Sequence, residues 1–122
     1  MKKTILIVDD SESIRNLVQF NLEAANFNVL IAKNGLEGLE FFKLGKSIQL
    51  LLTDLHMPIM SGMELIKEVR QIEAYHHMPI LFLTTETQVS IKKEAKELGA
   101  TGWIVKPFDS ARLISTIKKV IR

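Results

Sequence analysis

Short apolar runs alternate with longer segments of helical periodicity along the whole chain. The runs Ile5 to Val8, Val29 to Ala32, Leu50 to Leu52, Ile80 to Leu83 and Trp103 to Val105 are too short for helices and read as strands. Between them, Ile14, Leu17, Val18, Leu22 and Ala25 recur at the three-and-four spacing of one helix face. Leu65, Ile66, Val69 and Ile72 repeat that spacing, as do Leu113, Ile114, Ile117, Val120 and Ile121. Thinner stripes, Leu36, Leu39 and Phe42, then Ile91, Ala95 and Leu98, predict a second and a fourth helix. End signals support them: Asn34-Gly35 and Ser61-Gly62 suit helix starts, Gly99 a helix end, and Asp109 or Ser110 the cap of the last helix.

The order is strand then helix, repeated to the end. Strands that are apolar without alternation predict a parallel sheet, buried on both faces and covered by helices on both sides. Right-handed crossovers leave few topologies for such a sheet. No repeat, low-complexity tract or linker interrupts residues 1–122, and Pro58, Pro79 and Pro107 all lie beside strands. One domain over 1–122 is expected, long enough to bury about two thirds of its unfolded surface.

Composition removes several classes. With no Cys there is neither a disulfide nor a reactive thiol, as suits a reducing compartment. A net charge of +2 is too small for the basic field of a nucleic-acid binder. No run approaches the roughly 18 to 20 apolar residues of a membrane span, and the apolar stretch after Lys2-Lys3 is too short for a signal peptide. The expectation is a cytoplasmic protein with neither nucleic acid nor membrane as partner.

In a parallel sheet all C-terminal strand ends share one edge, where open α/β sheets place their ligands. Asp9 and Asp10 follow the first strand, Asp54 the third, Thr84 and Thr85 the fourth, and Lys106-Pro107 the fifth. Three converging carboxylates repel one another unless a cation sits among them. An all-oxygen set suits Mg²⁺ or Mn²⁺, whereas zinc prefers nitrogen or sulfur. Carboxylate, metal, ammonium and hydroxyl are together the parts needed to move a phosphoryl group onto an Asp. Asp54, alone at a central strand end, is the better nucleophile, leaving Asp9 and Asp10 for the metal.

With these residues in place, the chain resembles the receiver domains of two-component response regulators, especially the stand-alone CheY-like chemotaxis regulators. The resemblance rests on Ile5 to Asp10 (ILIVDD), Leu51 to Pro58 (LLTDLHMP), Ser61 to Leu65 (SGMEL), Pro79 to Glu86 (PILFLTTE) and Gly99 to Phe108 (GATGWIVKPF), in order along the whole chain. It implies the flavodoxin-like (βα)5 fold with strand order 2-1-3-4-5, for which CheY is itself a standard example. It also implies Asp54 as phosphoacceptor, Asp9, Asp10 and the main-chain carbonyl of His56 as further metal ligands, and Thr84 and Lys106 as the switch hydroxyl and the lysine. Trp103 falls at the aromatic switch position, where tyrosine or phenylalanine is more usual. Lys106-Pro107 falls at a cis peptide, and His56 and Glu86 fall where dephosphorylation is tuned.

The implied partners are a histidine kinase, a phosphatase, and a separate effector such as a flagellar motor switch or a phosphotransfer protein, since the sequence ends at Arg122 without an output domain. The implied output face combines the fourth helix, fifth strand and last helix. Thr85 stands where many receivers carry Ala or Gly, so small phosphodonors are expected to react more slowly. Thr101-Gly102 stands where DNA-binding receivers often carry an Asp pair used in dimerisation, so a monomer is expected without phosphorylation. A relay intermediate or a receiver excised from a longer regulator are the alternatives.

Blander readings exist for each residue. Asp9-Asp10 alone suits a helix N-cap, Lys106 a buried ion pair, Thr84 ordinary strand composition and Trp103 a half-buried aromatic. His76 and His77 read as solvated surface, the five methionines mostly as core fillers, and Lys118, Lys119 and Arg122 as helix C-terminal charges. A flavin carrier would need a glycine- and hydroxyl-rich first loop, which Asp9-Asp10-Ser11-Glu12 is not. A metal-dependent phosphatase would carry a second Asp where His56 stands. The chain is therefore expected to be no enzyme in the turnover sense, only catalysing its own phosphorylation and dephosphorylation.

Overall fold

A computed structural model describes residues 2–122. The elements are β1 (Thr4–Val8), α1 (Glu12–Ala24), β2 (Asn28–Ala32), α2 (Gly35–Lys43), β3 (Leu50–Thr53), α3 (Gly62–Arg70), β4 (Ile80–Thr84), α4 (Val89–Glu97), β5 (Gly102–Val105) and α5 (Ser110–Val120). All strand pairs are parallel and the sheet order is β2-β1-β3-β4-β5, as the resemblance implied. Strand side chains alternate between faces, so each strand feeds two cores. Ile5, Ile7, Leu50, Leu52, Leu81 and Leu83 pack with Val18 and Leu22 of α1 and Leu113 and Ile117 of α5. Leu6, Val8, Leu51, Ile80 and Phe82 pack with Leu39 and Phe42 of α2, Leu65, Ile66 and Val69 of α3, and Ala95 of α4.

Helix starts follow local chemistry. Ser11, Asn34, Ser61 and Asp109 cap α1, α2, α3 and α5 by accepting a backbone N–H, and Ser61 with Glu64 forms a reciprocal capping box. Only α4 begins without such a bond from its own N-cap residue, Gln88. Gly99, with φ of +108°, turns the chain after α4 in a conformation that a side chain disfavours. Arg70 braces this turn, donating to Gly99 O from Nε at 3.2 Å and Nη2 at 2.7 Å, and to Tyr75 O from Nη1 at 2.7 Å.

Three expectations need correction. Burial on both faces holds for the central strands, whereas β2 and β5 are sheet edges and leave Ile31 and Val105 exposed. Leu17 is 48% exposed, because one residue is a turn of about 100° and places it beyond the stripe that Val18 buries. Leu36 is 53% exposed, and the buried face of α2 carries Gly35 and Gly38 beside Leu39 and Phe42. A Cβ on Gly38 would lie 2.9 Å from Val8 Cγ2, so the glycine lets α2 sit close on β1.

The sequence pattern also gave no sign of the short 3-10 turn Glu73–Tyr75. Its Tyr75 is buried edge-on against Phe42, with ring centroids 4.8 Å apart, and its hydroxyl donates to Lys46 O at 2.7 Å. His76 and His77 beside it are exposed, as expected. Met78 is buried and Met57, Met60 and Met63 are partly buried against the core, while Met1 lies outside the described residues. No helix of the described residues is long and apolar enough to cross a membrane.

Candidate functional site

Sheet register brings the predicted residues to one edge. Val8 pairs with Ala32 and Thr53, and the chain then continues the ladder by one bond on each side. Asp9 N–H donates to Ala32 O at 3.1 Å and Asp54 N–H to Val8 O at 2.9 Å, so both carboxylates leave the sheet at neighbouring points. At the other end, Lys106 N–H donates to Thr84 O at 2.8 Å, and the Lys106-Pro107 peptide is cis. The Lys106 side chain reaches back across β4 to the carboxylates that follow β3 and β1.

Its ammonium bridges two acids. Lys106 Nζ lies 2.8 Å from Asp9 Oδ2 and 3.3 Å from Asp54 Oδ2. The remaining oxygens are held by backbone: Asp9 Oδ1 accepts from Ser11 N–H at 2.9 Å, and Asp54 Oδ1 from Leu55 N–H at 2.7 Å. Asp10 is exposed, and ligand atoms of Asp9, Asp10 and Asp54 all lie within 4.8 Å of one another.

Burial sets the direction for Asp9, and the neighbouring carboxylates set it for Lys106. Asp9 is 1% exposed, and burial raises its carboxyl pKa above the ordinary value despite the opposing hydrogen bond from Lys106. For Lys106, burial alone would lower the ammonium, but the hydrogen bond and charge of Asp9, with the charge of Asp54, outweigh it and raise its pKa. Both groups shift upward for different reasons: Asp9 is the deeper of the two and also faces Asp54, while Lys106 has two anions to itself. The cluster keeps more negative than positive charge, presents only oxygen, and fits a hard divalent cation such as Mg²⁺.

Thr84 is 1% exposed and its Oγ1 accepts from Glu86 N–H at 3.2 Å, which leaves its own O–H proton uncommitted among the described residues. Glu86 joins three of the predicted residues. Its Oε1 lies 3.0 Å from His56 Nε2, its carbonyl accepts from Trp103 Nε1 at 3.0 Å, and its N–H goes to Thr84. The His56 hydrogen bond, helped by Gln88 N–H on Oε2, lowers the Glu86 pKa. The Trp103 ring is partly buried, tilted against Phe82 at 5.3 Å, with Lys92 Nζ 5.8 Å from its centroid.

Asp9, Asp10, Asp54, His56, Thr84, Glu86, Trp103 and Lys106 therefore meet in one connected region. Sequence reading missed Ser11, whose Asp-x-Ser spacing is a recognisable turn signal, and Arg15, which no motif marks. It also missed that His56, Thr84 and Trp103 share Glu86.

Comparison with known proteins agrees with this geometry. The chain is 38% identical over 117 residues to chemotaxis protein CheY-3 of Vibrio cholerae, covering 95% of this chain and 89% of that protein. The crystal structure of CheY4 of Vibrio cholerae superposes with a TM-score of 0.94 at 40% identity, covering 99% of this chain and 100% of that one. The alkaline phosphatase synthesis transcriptional regulatory protein PhoP of Bacillus subtilis is 36% identical over 122 residues, 100% of this chain but 50% of that protein. The chain spans about half the length of such transcriptional regulators. The response regulator receiver domain model matches residues 5–118, and the chain belongs to that family.

Proposed function

We propose that residues 1–122 form one receiver domain that acts as a two-component phosphoacceptor. It takes a phosphoryl group from a histidine kinase onto Asp54 and then engages an effector through the face of α4, β5 and α5. The carrying observation is Lys106 Nζ bridging Asp9 and Asp54 beside an otherwise unneutralised acid cluster. An Asp54 carboxylate oxygen forms the new P–O bond as the P–N bond of the donor phosphohistidine breaks. The electron pair of that bond returns to the imidazole, which takes up a proton.

Lys106 pairs with the phosphoryl oxygens and Thr84 donates its free O–H to them. Asp9, Asp10, Asp54 and the main-chain carbonyl of His56 would hold Mg²⁺ or Mn²⁺, which supplies positive charge to offset that of the transferring group. As Thr84 moves toward the phosphoryl group it leaves Glu86 N–H. The carbonyl of the same residue anchors Trp103, so the aromatic reorients and the face around α4 changes population. His56 and Glu86, in contact beside Asp54, set the lifetime of the phosphorylated state. The protein turns over no external substrate, works in the cytoplasm, and is monomeric without phosphorylation.

Likeness to chemotaxis proteins along nearly their whole length supports a chemotaxis-type regulator, with a flagellar motor switch as effector and a phosphatase as second partner. Half-length likeness to transcriptional regulators supports a second reading, in which the same phosphoacceptor governs an attached output domain. The test is acid-quenched intact mass after incubation with Mg²⁺ and acetyl phosphate, with beryllofluoride binding as a check against slow access past Thr85. The expected result is one Mg²⁺-dependent phosphoryl adduct, absent in Asp54→Asn. No adduct and no beryllofluoride response would overturn the proposal.

A further inference from the structure

Arg15 sits where helix energetics alone would not put it. It lies in the first turns of α1, its N–H bonded to the carbonyl of the N-cap Ser11 at 3.0 Å. A cation there faces the positive end of the helix dipole. Among the described residues no carboxylate pairs with it. Its guanidinium instead donates from Nη1 to the main-chain oxygen of Asp9 at 2.8 Å, a short charge-assisted bond.

That bond completes the anchoring of Asp9. Its N–H is held by Ala32 O, its Oδ1 by Ser11 N–H, its Oδ2 by Lys106 and its carbonyl by Arg15. Asp10, next in the chain, makes no side-chain hydrogen bond or ion pair among the described residues, yet its carboxylate stays within 4.8 Å of those of Asp9 and Asp54. Like charges at that separation push apart, and an exposed side chain is free to swing into water. Among the described residues only the backbone that carries it ties Asp10 to the cluster.

We propose that Arg15 is a positioning residue for the divalent cation. By holding the Asp9 carbonyl it fixes the Asp9-Asp10 peptide, keeps the Asp10 carboxylate beside Asp9 and Asp54, and so sets the affinity for Mg²⁺. The inference rests on the receiver reading of the acid site, and charge and positioning predict opposite signs. Removing a cation from the rim of an acidic site strengthens cation binding by electrostatics alone, whereas loss of positioning weakens it.

The experiment is direct Mn²⁺ binding, read from the electron paramagnetic resonance signal of the free ion. The samples are wild type, Arg15→Met, Arg15→Lys and Lys33→Met, with far-ultraviolet circular dichroism to verify folding. Lys33 is a neighbouring rim cation that pairs with Glu37 instead. Arg15→Met is expected to bind Mn²⁺ about tenfold more weakly, the order of one charge-assisted hydrogen bond. Arg15→Lys, which keeps the charge but has a shorter side chain without the Nη1 donor that meets the Asp9 carbonyl, is also expected to bind more weakly, and it carries the test should Arg15→Met not fold. Lys33→Met is expected to bind as well as wild type or slightly better.

In an Asp10→Asn background, Arg15→Met is expected to cost less than twofold, since both act through Asp10. Equal or tighter binding by Arg15→Met would overturn the inference, and so would the full tenfold loss persisting in Asp10→Asn. A wild-type protein that binds no Mn²⁺ would overturn the receiver reading as well, which separates the two failures.

Discussion

Replacing Asp10 by asparagine should stabilise the protein when no divalent ion is present and take away most of the stabilisation that Mg²⁺ confers. The carboxylate makes no hydrogen bond that would be lost, and it faces two others with ligand atoms within 4.8 Å. In a water-like dielectric each such pair repels by about 0.9 kcal/mol. Physiological salt, with a Debye length of about 8 Å, reduces this to about half. Two pairs, less the attraction to Lys106 that is also lost, leave a net gain of about 0.5 kcal/mol.

For a domain of 122 residues that gain corresponds to a rise in Tm of about 2 °C. Wild type should gain about 1.4 kcal/mol, or about 5 °C, from Mg²⁺ at ten times its dissociation constant, and the variant far less. Scanning calorimetry in EDTA and then in Mg²⁺ should therefore show the two proteins exchange rank. The advantage of the variant in EDTA should shrink as salt is added. A variant less stable than wild type in EDTA, or one keeping the wild-type response to Mg²⁺, would refute the reasoning.

Three further outcomes are expected. Asp9 has a folded pKa raised by burial, so its contribution to metal-free stability is fully present below its ordinary value and is lost as pH rises through the folded value. Urea unfolding in EDTA at rising pH should show Asp9→Asn gaining on wild type, and a constant difference would contradict this. Gly62→Ala would place a Cβ 2.3 Å from Asp54 O and 2.6 Å from Phe82 Cε1, and should cost about 2 to 3 kcal/mol, or about 8 to 12 °C in Tm. Gly45→Ala, with φ of +71° and nothing within 4 Å, should cost only about 1 kcal/mol, so similar losses at both sites would disprove the steric account. The His56→Ala, Glu86→Ala double variant should change the decay rate of the phosphorylated protein, followed by intact mass after donor removal; an unaltered rate would exclude both from tuning.

The side chains of the candidate site were legible because parallel strands end together: the residues after each apolar run are carried to the same edge, whatever the order of strands. Asp9, Asp54 and Lys106 follow from that rule, and so does Thr84 as the last residue of its strand. Strand order itself came from the resemblance, since handedness and short connections leave more than one arrangement. Exposure of Leu17 and Leu36 was not legible because periodicity marks a face but not its margins, and at α2 glycines do the packing. Arg15, Arg70 and the links from Glu86 to Thr84 and Trp103 escaped for a different reason. Each of those bonds uses a main-chain atom, which every residue possesses, so no pattern of side chains announces them.

Glu86 divides its bonds by chemical type. Its side chain meets His56 and the start of α4, while its main chain meets Thr84 and Trp103. Substitution alters the first set and spares the second, because any residue but proline brings the same N–H and C=O to that position. Under the proposed function, the duration of the signal and its transmission are thus separable by mutation at a single codon. Selection can lengthen or shorten the response there without dismantling the connection to the output face.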